Sequence, residues 1–267
     1  MEDIALSRFE GFADIYDRFR PKPPEEIALL LIDIAGLDKS GTVVDLGCGT
    51  GLSTHIWTGR ADRIIGIEPN DDMRKKAAAN TSDQTISFIK GSSYETGLPS
   101  ESVDIVTCAQ SFHWMEPAST LNEVSRILKK NGVFCAFDNE WPPFVSPECD
   151  KAYNELFDAV KKLTDKNVDI LPNEIQYPKS RHLENIEDSG HFSHSKEIFL
   201  HNIEECDYDR FINLAMSQGS LQTLIKNGIK EIDEHIEKYK MRIDEYYMSL
   251  KKINIMCINY KLRIGIK

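Results

Sequence analysis

Long apolar runs are missing from this sequence. None of its 267 residues belongs to a stretch close to the roughly 20 consecutive apolar residues that a membrane-spanning helix needs. Residues 1–4 (MEDI) carry acidic side chains where a secretory signal has a basic segment followed by an apolar core. The sequence therefore predicts a cytoplasmic protein with no membrane partner.

Basic residues are scarce relative to acidic ones. Lys and Arg number 32 against 43 Asp and Glu, which gives a formal net charge of -11. Nucleic-acid binders usually show basic patches on an overall basic domain, because they must neutralise phosphates. The charge balance thus disfavours a nucleic-acid partner.

Closely spaced cysteines are absent as well. The six cysteines include no pair with metal-ligand spacing such as C-x-x-C. Cys48, Cys108 and Cys135 lie in or beside apolar runs that are typical of strands. We therefore predict buried free thiols in preference to disulfides or zinc, and no metal site.

Short β-branched runs alternate with helical patterns between Thr42 and Asn139, which is typical of a parallel sheet built from βαβ units. Asn70 is a candidate cap for the second helix. The expected strands are 42–46, 63–68, 86–90, 103–109 and 132–137, and the expected helices are 52–58, 71–80 and 118–129.

The alternation stops after Trp141, where prolines precede a helical stretch at 150–165. Strand candidates at 192–201 and 254–264 would complete the sheet as an antiparallel pair. The predicted fold is α/β, a doubly wound Rossmann-like sheet of seven strands, mostly parallel with an antiparallel last strand, plus helical cap insertions. The predicted domains are N-terminal lid helices at 1–40, a cofactor-binding core at 41–140, a helical cap at 141–190, and the last two strands at 191–267 with a helical insertion at 205–252.

An apolar stripe runs through that insertion at alternating steps of four and three residues, which predicts one helical face. We favour a cap helix packed on its own domain over the seam of a coiled-coil dimer, so both a monomer and a homodimer stay open. The stripe comprises Ile225, Ile229, Ile232, Ile236, Tyr239, Ile243, Tyr246 and Leu250.

A glycine-rich turn follows the first strand and opens a predicted helix. Glycines let the backbone approach a ligand closely, and a helix N-terminus offers unpaired N–H groups. Glu68 ends the second strand 23 residues after Asp45 (68 minus 45), where a carboxylate can accept hydrogen bonds from two ribose hydroxyls. The turn consists of Gly47, Cys48, Gly49, Thr50 and Gly51.

The glycine spacing indicates which nucleoside cofactor is bound. A dinucleotide fingerprint would place its third glycine at position 52, which is Leu52. Asp45 suits a cofactor that carries an ammonium group and repels a pyrophosphate. An NAD-dependent oxidoreductase is therefore the weaker alternative.

Residues 45–51 resemble motif I of class I S-adenosylmethionine-dependent methyltransferases, and residues 67–73 and 98–106 are similar to later segments of that family. The resemblance implies S-adenosylmethionine as cofactor. It further implies that Asp45 and the glycine turn hold the methionine part, that Glu68 holds the ribose, and that Met73 packs near the adenine.

Two further segments, 110–114 (QSFHW) and 16–21 (YDRFRP), resemble the small-molecule subgroup that includes trans-aconitate methyltransferase-like proteins, methyltransferase type 11. The resemblance adds Gln110 to the cofactor-binding set. Many relatives have an Ala-Glu or Asp-Ala pair after strand three, whereas this chain has Ser92 and Ser93, so the Ser93 hydroxyl or backbone is the candidate adenine contact.

The candidate catalytic residues are His113, Trp114, Tyr16 and Arg20. His113 and Trp114 follow strand four at the carboxyl edge, where open α/β sheets bind ligands, although Trp114 could instead close the core. Tyr16 and Arg20 lie four residues apart on one face of a predicted lid helix. Arg20 would suit a carboxylate-bearing acceptor or be an ordinary surface arginine.

Together these features predict methyl transfer to a small-molecule acceptor, at an oxygen, nitrogen or carbon that the sequence does not identify. Such a reaction needs alignment and exclusion of water, and the cofactor carries the difficult chemistry. The alternatives are a non-catalytic cofactor-binding interaction module, with the apolar stripe as its partner surface, and the oxidoreductase.

Overall fold

The structure is a computed structural model that describes residues 18–37, 40–171, 175–249 and 254–267. Its described residues fall into two compact units. The sheet unit takes Lys22–Asn139, Ile175–Leu200 and Tyr260–Lys267, and the helical unit takes the described parts of Met1–Pro21, Glu140–Glu174 and His201–Asn259. The helices are α1 (Glu26–Ile34), α2 (Asp71–Ala79), α3 (Pro117–Ile127), α4 (Pro147–Lys166), α5 (His182–Asp188), α6 (Tyr208–Met216), α7 (Gly219–Lys226) and α8 (Glu231–Met248).

Seven strands form one sheet in the order β3-β2-β1-β4-β5-β7-β6. The pairs from β3 through β5 are parallel, and β5 pairs with β7 antiparallel. This arrangement confirms the predicted mostly parallel, doubly wound sheet. The strands are β1 (Ser40–Leu46), β2 (Ala61–Ile67), β3 (Ile86–Ile89), β4 (Val103–Ala109), β5 (Leu128–Asn139), β6 (His194–Cys206) and β7 (Asn254–Ile266).

The central strands form because their side chains are apolar on both faces. Val43, Val44, Ile105 and Val106 have no exposed surface, and burying each such side chain stabilises the fold by about 1.5–3 kcal/mol. The strand order reverses between β1 and β4, which is where open α/β sheets bind ligands beyond the carboxyl ends of their strands. The fold therefore directs attention to the segments that follow β1, β2, β4 and β5.

The predicted cap of α2 is confirmed. The Asn70 side-chain oxygen accepts hydrogen bonds from the backbone N–H groups of Asp72 and Met73, at 2.9 and 3.0 Å. A cap of this kind is worth about 1 kcal/mol. It fixes the start of α2 immediately after Glu68.

The predicted helix at 52–58 is wrong, because only a short 3-10 helix, Thr54–Trp57, follows the glycine turn. The Ser53 and Thr54 hydroxyls donate to one oxygen of the buried Asp45 carboxylate, at 2.7 and 2.8 Å. Side chains that bond locally in this way compete with regular helix formation. The turn therefore has no long helix N-terminus of its own to attract an anion.

The apolar stripe is buried within the helical unit, on α8. Ile232, Ile236, Tyr239 and Ile243 are buried, and α8 packs against α4. The Tyr239 hydroxyl donates to the Phe211 carbonyl at 3.0 Å. This burial agrees with the favoured cap-helix interpretation.

The sequence pattern predicted that the stripe lies on one continuous helix, and this prediction is wrong. Ile225 belongs to α7, which ends before Gly228, and Gly228 adopts a left-handed backbone with φ of 71°. Glycine in that conformation is a common helix terminator. The last position of the stripe, Leu250, lies outside the described residues.

The cysteines are free thiols, as predicted. Burial raises the pKa of the Cys48 and Cys108 thiols well above the ordinary value, and the nearby Asp45 carboxylate raises both further. Such thiols are poor nucleophiles and poor metal ligands. Within the described ranges, no helix is long and apolar enough to cross a membrane.

Glu123 on α3 fastens the segment that follows β3. Its carboxylate accepts from the Thr96 N–H and hydroxyl, at 2.9 and 2.6 Å, and from Arg126 at 2.7 Å. Burial alone would raise the pKa of Glu123, but these donors outweigh it and hold the pKa at about 2. The ionised carboxylate therefore stabilises the fold.

We expect Glu123→Gln to lower the free energy of unfolding at pH 7 by about 1–3 kcal/mol, because a charged acceptor of four hydrogen bonds is lost. A depressed folded-state pKa contributes stability above the ordinary value of 4.5 and loses it as the pH falls towards 2. Urea unfolding of both proteins from pH 7 to pH 3 should show the difference shrinking below pH 4.5. A difference that stays constant with pH would contradict this account, and the exposed Glu95→Gln serves as control.

Candidate functional site

The glycine turn combines two packed glycines with one that faces open space. All three have positive φ, at 66°, 56° and 85° for Gly47, Gly49 and Gly51. A Cβ on Gly47 would lie 2.8 Å from Ser111, and one on Gly51 would lie 3.0 Å from Phe88. A Cβ on Gly49 would meet nothing within 4 Å among the described residues. Gly47 and Gly51 therefore serve packing, and Gly49 leaves room beside the backbone.

Asp45 holds this turn from beneath. Its carboxylate has no exposed surface and accepts from the hydroxyls of Ser53, Thr54 and Thr107. Burial raises the pKa of Asp45, and the three hydroxyls oppose that rise. Asp45 thus anchors the loop in the described structure, and the contact with a ligand ammonium that the sequence suggested stays a prediction.

Glu68 lies directly beyond β2, facing the turn. One carboxylate oxygen accepts from the Gly49 N–H and the other from the Asn70 N–H, both at 2.9 Å. Burial raises the pKa of Glu68 above the ordinary value, although the two backbone donors and Arg74 lower it. The structure therefore brings Glu68 and the open Gly49 into direct contact.

The remaining cofactor candidates lie after β1 and β3 and in α2, with different degrees of burial. Cys48, Thr50 and Met73 are buried, Met73 in the first turn of α2. Ser92 lies in the segment after β3, and the Ser93 hydroxyl shares a 2.8 Å hydrogen bond with the Thr120 hydroxyl. Contact of Met73, Ser92 or Ser93 with an adenine ring stays a prediction.

Gln110 follows β4 with a strained backbone. Its φ is 53°, a conformation that non-glycine residues adopt rarely and at a cost of about 1–3 kcal/mol. Its side-chain amide donates to the Asn139 side-chain oxygen and accepts from the Lys179 ammonium, the latter at 2.8 Å. Strain held by such contacts is common at functional sites, so Gln110 fits a site at this edge.

His113 and Trp114 lie in a short 3-10 helix, Phe112–Trp114, directly after Gln110. Their rings are in contact, with centroids 4.9 Å apart. The His113 Nδ1 atom lies 3.9 Å from an Asp138 carboxylate oxygen. The structure thus places His113 beside a buried acidic group that the sequence reading did not include.

Asp138 is the centre of a charged network that sequence reasoning missed. Its two oxygens accept from Lys179 and Arg263, each at 2.8 Å, and His182 lies 3.8 Å away. Burial would raise the pKa of Asp138, but the Lys179 charge and hydrogen bond and both histidines outweigh it, so the pKa lies below its ordinary value. The polar pair Asp138 and Asn139 at the end of an otherwise apolar strand was the available signal.

Arg20 belongs to the helical unit. Its guanidinium donates to the Ser217 carbonyl at 2.9 Å and lies 4.8 Å from the centre of the Trp141 ring. Trp141 stacks in turn near Tyr153, with ring centroids 6.4 Å apart. Tyr16, the other lid candidate, lies outside the described residues, so their pairing stays a prediction.

The residues present fit a nucleoside cofactor. The open side of Gly49 gives space against the backbone, and Glu68 supplies a buried carboxylate at the end of the neighbouring strand. Across the described ranges, no group of three or more His, Cys, Asp or Glu side chains could hold a metal ion.

Comparison with known proteins agrees with this site. A family model described as "Methyltransferase domain" matches residues 44–136. An uncharacterized methyltransferase of Mycobacterium tuberculosis is 36% identical over 131 residues, covering 49% of this chain and 51% of the relative. A probable S-adenosylmethionine-dependent methyltransferase of Saccharomyces cerevisiae is 32% identical over 145 residues, covering 52% and 49%. The chain thus spans about half the length of the curated relatives it matches.

Solved structures show the same fold over a longer span. A provisionally assigned type II methyltransferase from Anaeromyxobacter dehalogenans superposes with a TM-score of 0.70 at 19% identity, covering 93% of this chain and 98% of that one. The YcgJ protein of Bacillus subtilis gives a TM-score of 0.55 at 18% identity, covering 91% and 99%.

The matched domain, the seven-stranded sheet and the glycine turn with Glu68 agree with one class of protein. Residues 44–136 carry a methyltransferase domain, and this region is similar to class I S-adenosylmethionine-dependent methyltransferases. The cofactor of this class is S-adenosylmethionine.

Proposed function

We propose that this protein transfers a methyl group from S-adenosylmethionine to a small-molecule acceptor. The observation that carries the proposal is the direct pairing of Glu68 with the open Gly49, each at the end of a neighbouring parallel strand. The net charge of -11 supports a small molecule over a nucleic acid. We also propose that the protein belongs to a subgroup similar to trans-aconitate methyltransferase-like proteins and that it is located in the cytoplasm.

In this proposal the sheet unit binds the cofactor and aligns the methyl acceptor with it. The bound cofactor supplies an electrophilic methyl group on a positively charged sulfur. The backbone of residues 47–51 positions the methionine part, and Glu68 accepts hydrogen bonds from the ribose hydroxyls. His113 and Trp114 lie on the acceptor side, where packing that excludes water and fixes the acceptor lowers the barrier.

Two other functions have less support. The interaction module relied on the apolar stripe as a partner surface, but most of that stripe is buried inside the helical unit. The oxidoreductase relied on a dinucleotide fingerprint, and position 52 is Leu52. We therefore retain methyl transfer.

Calorimetric titration with S-adenosylmethionine and, separately, with NADH tests the proposal on protein freed of copurified ligand. We expect micromolar affinity for S-adenosylmethionine and no heat with NADH, because Glu68 and Asp45 would repel a pyrophosphate. Binding of NADH alone would overturn the proposal. Methyl-labelled cofactor incubated with pools of small acids, amines and phenols then measures transfer, and binding without any transfer would favour the interaction module.

A further inference from the structure

The two histidines near Asp138, His182 and His113, have different surroundings. His182 is fully buried, and its ring packs on Phe112 with centroids 4.8 Å apart. Within the described ranges, neither of its ring nitrogens has a hydrogen-bond partner. Burial lowers the pKa of His182 to about 4, against the opposing effect of Asp138. His182 is therefore neutral at physiological pH and packs as part of the core beside Phe112.

His113 differs because its side chain is 12% exposed and its Nδ1 atom is the one nearer Asp138, at 3.9 Å. A carboxylate on the Nδ1 side favours the tautomer that carries its proton there, which leaves the lone pair on Nε2. The 3.9 Å separation exceeds a hydrogen bond, but such contacts often tighten only when ligands are bound. Geometry therefore makes His113 a candidate proton acceptor.

The two cations that contact Asp138 reduce how strongly its negative charge stabilises the protonated form of His113. Lys179 and Arg263 together compensate more than its single negative charge, and Arg263 is shared with Glu197 at 3.1 Å. A carboxylate whose charge is not compensated by cations would hold a neighbouring histidine protonated over a wider pH range. With Lys179 in place, Asp138 stabilises the protonated form of His113 less strongly.

We infer that His113 accepts the proton released by the methyl acceptor, and that Asp138 and Lys179 are positioning residues that set its orientation and basicity. The inference rests on the proposed function. An electron pair of the acceptor atom forms the new bond to the methyl carbon, and the pair of the broken bond stays on sulfur. The acceptor's proton moves to Nε2 of His113, leaving its bonding electrons on the acceptor, so atoms and charge balance.

Titration of the histidine ring signals by NMR tests the coupling without any turnover. His113 is assigned by the signal lost in His113→Gln. In Lys179→Met we expect the His113 titration midpoint to rise by about 1 pH unit, because Asp138 loses a compensating charge. In Asp138→Asn we expect it to fall, and Lys179→Arg should restore the wild-type midpoint. Among the described residues, Asp138 lies beside His113, Lys179, Arg263 and His182 surround Asp138, and Glu197 pairs with Arg263.

The controls separate this inference from the proposed function. Lys75→Met removes an exposed lysine of α2 that pairs with Asp72, and it should leave the His113 midpoint unchanged. Lys179 is partly exposed, so we expect its replacement to leave the protein folded even if Asp138→Asn does not fold. An unchanged midpoint in Lys179→Met overturns the inference, whether or not the protein binds cofactor. A shifted midpoint supports it, and the acid limb of kcat should then move with the midpoint; loss of cofactor binding is a failure of the proposed function alone.

Discussion

Replacing Gly49 with alanine should abolish measurable binding of S-adenosylmethionine while leaving the protein folded. A Cβ at this position meets no described atom within 4 Å, so the new methyl group occupies space beside the backbone that we assign to the cofactor. The left-handed φ of 56° adds a cost of about 1 kcal/mol for alanine. We expect at least a hundredfold loss of affinity by calorimetry, together with a small decrease in the free energy of unfolding.

Gly36→Ala is a matched control for this experiment. Gly36 has a similar φ of 65° and also has nothing within 4 Å of an added Cβ, but it follows α1 and lies outside the glycine turn. Its alanine variant should lose the same small amount of stability and keep wild-type affinity. Unchanged binding by Gly49→Ala would show that the open side of the turn is not the cofactor site.

Glu68→Gln should weaken cofactor binding by about ten- to a hundredfold. Hydrogen bonds to a charged group contribute about 1.5–3 kcal/mol each, and an amide keeps only part of that strength. Because burial raises the pKa of Glu68, the wild-type carboxylate should begin to protonate above the ordinary value of 4.5. Wild-type affinity should therefore fall as the pH drops through that raised pKa, and the Gln variant should lack this pH dependence.

Asn70→Ala distinguishes a local loss of structure from a loss of ribose recognition. It removes the side-chain cap of α2 but keeps the backbone N–H that donates to Glu68. We expect a stability loss of about 1 kcal/mol with affinity changed only a few-fold. If Glu68→Gln binds the cofactor as tightly as wild type while Asn70→Ala does not, the ribose assignment is wrong.

Local sequence patterns were sufficient to predict much of the fold. Val103–Ala109 is a strand over the residues expected, since its apolar run is buried on both faces. Gly49 and Glu68 lie close together in the structure because each follows one of two neighbouring parallel strands, and the sequence had assigned both to cofactor binding. These features depend on contacts between consecutive βαβ elements, which periodicity and spacing reveal.

Local sequence patterns could not predict features that depend on contacts between distant segments of the chain. The helix expected at 52–58 was overridden by the Asp45 carboxylate, whose bonds to Ser53 and Thr54 periodicity does not report. The different roles of Gly47 and Gly49 depend on Ser111, which packs against one and not the other. The Asp138 network takes its partners from three separate parts of the chain, at His113, at Lys179 with His182, and at Arg263, and no local pattern links them.

The two halves of the site differ in how much of the chain must be made before they can form. Asp45 reaches its most distant anchoring hydroxyl, Thr107, 62 positions along the sequence. Asp138 reaches Arg263 only 125 positions later. During synthesis on a ribosome, the cofactor loop can therefore gain its anchors long before the residues around His113 gain theirs. We therefore expect the growing chain to bind the cofactor before His113 can accept a proton from the methyl acceptor.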